Sequence, residues 1–205
     1  MTLWYIARAS GIVALVAFTM ATTLGALTSV RPAERGRAAN ERRILAQYAH
    51  RSAAVTGLTL AAVHVTAIVL DTQAHISAAQ VVVPFTAGYR PLAVGLGTIA
   101  LYLFTITAVV GASRGRLAGS EGASGAWRLV HAAAYVGWAL SVGHALLAGT
   151  DVNHLWMIAF ALGSIALVIG ALSTRLRSES DHAASYLVTT RRDRTESERR
   201  MRSLR

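Results

Sequence analysis

Four histidines lie inside two strongly apolar segments, His50 with His64 in one and His131 with His144 in the other, spaced H-x13-H and H-x12-H. A titratable side chain is costly in hydrocarbon, so histidine within a membrane span points to function. Neutral imidazole ligates haem iron through one ring nitrogen. At about 1.5 Å of rise per residue, each pair is separated by roughly 20 Å along a helix. Each helix therefore offers one imidazole near each membrane face, and two such helices running in the same direction can clamp two stacked haems. One histidine on an apolar face is ordinary in a helical core, whereas two matched pairs predict a haem-bearing electron conduit.

The elements that must position these residues are spanning helices. The chain of 205 residues is 54% hydrophobic and only 15% charged, with a mean hydropathy of +0.45. That balance suits a polytopic membrane protein better than a soluble domain. Five stretches, at 3–30, 44–70, 91–112, 127–148 and 155–173, are long and apolar enough for a hydrocarbon core of about 30 Å, so the expected fold is an all-α transmembrane bundle. The first has neither the basic leader nor the small-residue cleavage site of a signal peptide and reads as a retained helix. Residues 1–174 form the membrane domain. Residues 175–205 are polar and basic, and read as a solvated or surface-associated tail.

Charge supplies an orientation. Among 20 basic residues none is lysine, and the formal charge of +10 comes from arginines that cluster beside apolar spans rather than from a nucleic-acid surface. Arg31, Arg35, Arg37, Arg42, Arg43 and Arg51 flank the first connection, Arg114, Arg116 and Arg128 the third, and nine more follow Thr174. Only Arg8 and Arg90 fall on the other side. The positive-inside rule then predicts an outer N-terminus and a cytoplasmic C-terminus. His50 and His131 fall at the inner level, His64 and His144 at the outer one. Cysteine is absent, which excludes disulfides, iron–sulfur clusters and covalent haem attachment.

One spacing is awkward. Fourteen positions leave two histidines roughly 40° apart on an ideal helix, but 13 leave them roughly 140° apart. The helix carrying His131 and His144 is therefore expected to be twisted or bulged near Gly137 and Gly143.

The stretches WYIARASG (4–11), the AHRS…AAVHV pair around His50 and His64, YRPLAVGLGTIALYL (89–103) and WRLVHAAAYVGWALSVGHALLAGTD (127–151) resemble the ferric reductase-like transmembrane domain. That family includes NADPH oxidases, ferric reductases and the haem-binding membrane subunit of a bacterial methionine-sulfoxide reductase system. The resemblance covers nearly the whole chain except its basic tail, and departs from the many members that have a further, N-terminal helix. It implies two non-covalent b-type haems, one between His50 and His131 and one between His64 and His144. It also implies single-electron transfer across a cell membrane to an outer acceptor: a ferric chelate, oxygen or a partner reductase. The donor would be a cytoplasmic flavoprotein or quinol.

Arg8 and Arg90 stand at outer helix ends, where charge-assisted hydrogen bonds to haem propionates are the functional reading and interfacial snorkelling the bland one. Arg51 and Arg128 are the inner counterparts. Asp71, His75, Asp151 and His154 share the outer side and read as hydrated loop residues before a metal site; His182 has no assigned role. Gly95-Leu96-Gly97-Thr98-Ile99-Ala100 matches a dinucleotide fingerprint, yet no strand precedes it, and small residues in a span serve close packing. The rival function is a haem-free transporter or scaffold subunit whose histidines handle protons. It lacks acidic partners at midplane depth.

Overall fold

A computed structural model describes residues 2–30, 36–113 and 121–203. Arg31, Arg35, Arg114, Arg116 and Arg205 lie outside the described residues, as does the side chain of His182. The elements are α1 (Thr2–Thr28), α2 (Arg37–Leu70), α3 (Ala78–Val82), α4 (Pro91–Ala112), α5 (Glu121–Ala148) and α6 (Leu155–Ser203). No strand occurs among the described residues. All but α3 are long and apolar enough to cross a membrane, making this an all-α, multi-pass membrane protein in a lipid bilayer.

Local chemistry sets several helix ends. Pro91 occupies the first turn of α4, where its missing N–H costs no helical bond. The end of α2 is closed by the Asp71 N–H, which donates to the carbonyls of Ala67 and Ile68. Ser77 and Gln80 form a reciprocal capping box that starts α3. Polar residues extend three helices beyond their apolar spans: α2 starts at Arg37, α5 at Glu121, and α6 runs past Thr174 to Ser203.

Helices α1 and α2 pack closely along each other, as do α4 and α5, and the two hairpins meet through α1 with α5 and, less closely, α2 with α4. The result is a square in which α2 and α5 occupy one diagonal and α1 and α4 the other. Across the second diagonal Phe18 and Phe104 stack with centroids 3.9 Å apart and planes at 6°. Both rings are buried among Ala14, Leu15, Ala100, Trp138 and Val142. The Trp138 Nε1–H donates to Thr19 Oγ1 at 3.0 Å, tying α5 to α1 at the same depth. Helix α6 lies against α1.

The connection between α2 and α4 folds back onto the outward face of α4. Thr98 Oγ1 donates to the Val81 carbonyl at 2.9 Å, and the Tyr102 hydroxyl donates to the Val82 carbonyl. The Phe85 ring fills the space that a side chain at Gly95 would need. Gly95, Thr98 and Tyr102 share this face by helical spacing, while Gly97, Phe104 and Gly111 point the opposite way, into the bundle.

Candidate functional site

The first diagonal carries the histidines. His50 and His64 project from α2, His131 and His144 from α5, and they meet in the pairs expected from the sequence. The ring centroids of His50 and His131 are 6.1 Å apart with planes at 66°; those of His64 and His144 are also 6.1 Å apart, with planes at 84°. Two metal–imidazole bonds of about 2 Å each, plus the two ring radii, make a centroid separation of roughly 6 Å. These pairs are therefore spaced for one metal ion between them rather than for direct hydrogen bonding.

The tautomers are also set. His64 Nδ1 lies 2.6 Å from the Ala7 carbonyl oxygen, His50 Nδ1 2.8 Å from that of Ala21, and His144 Nδ1 2.8 Å from that of Ala93. A carbonyl only accepts, so in each case Nδ1–H donates and the Nε2 lone pair is left to bind a metal. This outer hydrogen bond on a ligating imidazole orients the ring and raises its basicity. His131 is held differently, with Trp127 stacked on its ring at 4.8 Å and 14°.

Among the described residues no three His, Cys, Asp or Glu side chains converge as a metal-binding group. Two opposed imidazoles are an incomplete set for a bare transition-metal ion but a complete axial set for an iron that brings four equatorial nitrogens with it. The residues present fit haem.

The helix of His131 and His144 has no bulge or break: α5 is continuous α-helix through both. Both pairs nevertheless close to the same 6.1 Å, with Trp127, one turn before His131, stacked on that ring.

Arg8 and Arg90, on the side of His64 and His144, have protein partners. Arg8 forms an ion pair with Asp151, whose side chain is only 11% exposed, and its guanidinium lies 5.2 Å over the Trp4 ring. Arg90 Nη1 donates to the Leu147 carbonyl at 2.6 Å. Both therefore brace the loop ends of the α5–α6 side. A guanidinium has five N–H donors, so these contacts leave others for an anionic group. Arg51 and Arg128 are exposed. On the side of His50 and His131, Arg175 donates to Glu179 at 3.0 Å and to the Tyr135 hydroxyl at 3.3 Å, one turn from His131. Asp71 turns inward to accept the Gln73 N–H at 2.9 Å, while His75 and His154 are exposed. The outer His and Asp residues are thus not gathered into a site.

Four glycines also belong to the site: Gly97, which the sequence reading assigned to close helix packing, and Gly11, Gly25 and Gly111, to which it gave no role. A Cβ at Gly11 would lie 2.8 Å from His64 Nδ1, one at Gly25 3.1 Å from His50 Cε1, one at Gly97 2.7 Å from His144 Nδ1 and one at Gly111 3.4 Å from His131 Cε1. The available signal was their spacing: Gly11 to Gly25 and Gly97 to Gly111 both repeat the interval of His50 to His64.

Comparisons with models of protein families, with curated proteins and with solved structures returned no match.

Proposed function

We propose that the chain is an integral-membrane b-type cytochrome of the cell membrane, a transmembrane electron-transfer oxidoreductase or the haem subunit of one. The observation that carries this reading is the geometry of two imidazole pairs, each 6.1 Å apart, on two levels of one bundle. His50 and His131 would hold an inner haem b, His64 and His144 an outer one. When bound, the haem iron supplies one-electron redox chemistry. The residues around it supply the rest: carbonyls of Ala7, Ala21 and Ala93 set the ligand tautomers, and the Phe18–Phe104 stack fills the layer between the levels and excludes water from it. Arg8 and Arg90 would offer their remaining donors to the propionates of the outer haem. Candidate acceptors are a ferric chelate, oxygen or a partner reductase; candidate donors are a cytoplasmic flavoprotein or quinol.

The test is a pyridine haemochrome assay with a reduced-minus-oxidised spectrum on protein expressed with ample haem. Two haems b per chain are expected. One haem would mean that one pair does not bind, and none would overturn the reading in favour of a haem-free membrane protein.

Electrons would travel outward, because eighteen of the 20 arginines flank the side of His50 and His131. A reporter fused after Arg205 should be active only in the cytoplasm, and one placed before Trp4 only outside. The opposite pattern would invert the chain and the direction of electron flow.

A further inference from the structure

The two helices of the square that carry no histidine, α1 and α4, repeat one another. Ala7-x3-Gly11-x6-Phe18-x6-Gly25 in α1 is matched by Ala93-x3-Gly97-x6-Phe104-x6-Gly111 in α4. The histidine helices repeat as well: His50-x6-Gly57-x6-His64 in α2 corresponds to His131-x5-Gly137-x6-His144 in α5, with one residue fewer. The contacts obey the repeat. Gly57 lies against the Phe18 ring, as Gly137 lies against Leu103 and Phe104. Gly11 meets His64 and Gly25 meets His50, as Gly97 meets His144 and Gly111 meets His131. In three of the four, the carbonyl that takes the histidine Nδ1–H belongs to the residue one helical turn before that glycine: Ala7, Ala21 and Ala93.

We infer that Gly11, Gly25 and Gly97 are positioning residues for the imidazoles of His64, His50 and His144, and that Gly111, within the same duplicated hairpin, constrains His131 least. Gly11, Gly25 and Gly97 each omit the carbon that would crowd the ring, and so let Nδ1 reach the carbonyl of the preceding turn. This rests on the cytochrome reading only in that the ring orientation so fixed is the one presented to the haem iron.

The grading follows from distance. A methyl at Gly97 or Gly11 would sit 2.7 or 2.8 Å from Nδ1 itself, a separation that neither ring can keep with its carbonyl bond intact. At Gly25 the nearest ring atom is 3.1 Å away and a small tilt suffices; at Gly111 it is 3.4 Å away, an ordinary van der Waals contact. Glycine to alanine favours the helix itself, so damage would come from the ring and not from the backbone.

The experiment compares the full-length wild type with Gly97→Ala, Gly11→Ala, Gly25→Ala and Gly111→Ala, using Gly163→Ala and Gly170→Ala as controls, since a Cβ at either meets nothing within 4 Å. The readouts are the low-spin ferric EPR signal, which reports imidazole orientation, and the midpoint potential of each haem. Gly97→Ala and Gly11→Ala should each shift or abolish the outer signal alone, Gly25→Ala should shift the inner one slightly, and Gly111→Ala and the controls should match wild type. Histidine 15N NMR of haem-free protein reads the same proposal without the cofactor. Gly97→Ala should remove the hydrogen-bonded Nδ1–H of His144 and leave that of His50. Wild type without haem would therefore defeat the cytochrome reading while the NMR still judges the glycines. Unchanged EPR, potentials and Nδ1–H signals in both Gly97→Ala and Gly11→Ala would overturn the inference, as would Gly111→Ala proving as damaging as Gly97→Ala.

Discussion

Alanine at His64 or at His144 is expected to remove one haem and leave the other, and alanine at His50 or His131 to remove the complementary one. The pairs lie on separate levels, about 20 Å apart along the helices, and share no ligand. Within a pair the two substitutions should be interchangeable, because each histidine would supply half of the protein ligands that the pair offers. Spectra of the four single variants, with haem counted per chain, decide this. Loss of the same haem in His64→Ala and His131→Ala would contradict the pairing seen in the structure, where His64 faces His144 and His50 faces His131. The loss should be sharpest at the outer level, where both imidazoles carry a carbonyl-bonded Nδ1–H as well as a close glycine.

The second expectation is that NADPH alone does not reduce the purified protein, whereas NADPH with a flavin reductase, or a quinol, does so rapidly. Nucleotide binding of the fingerprint type needs glycines at a strand-to-helix turn, where free backbone N–H groups meet a pyrophosphate. The fingerprint-like glycines of this chain lie inside α4 with their space already taken, Gly95 by the Phe85 ring and Gly97 by His144. On the cytochrome reading proposed above, hydride chemistry would fall to another molecule, approaching from the side on which the arginines gather. Anaerobic stopped-flow absorbance separates the three arms. Fast reduction by NADPH alone would reveal a nucleotide site elsewhere in the chain.

The five spans were legible from hydropathy because a bilayer imposes one demand on every spanning segment, about 20 apolar residues with their backbone groups bonded internally. Their polar extensions were not. Hydropathy loses a helix once it leaves the lipid, so the first turns of α2 from Arg37, those of α5 from Glu121 and the continuation of α6 to Ser203 carried no such signal. The histidine pairing could be read from spacing and direction alone, since two parallel helices with matched intervals must place like with like.

What the tertiary structure alone decided is everything that depends on how helices rotate about their axes. It brought Ala7 to His64 and Ala93 to His144 across more than fifty residues of sequence. It gave Arg8 to Asp151 and Arg90 to the Leu147 carbonyl. It also closed the His131 and His144 pairs to the same distance on a helix with no break between them, where ideal-helix angles had called for a twist or bulge. Spacing along the chain specifies depth in the membrane, because every residue adds the same rise. Azimuth is set by which side chains fit between two helices, and here the fit was made by glycines whose single distinguishing property is an atom they lack.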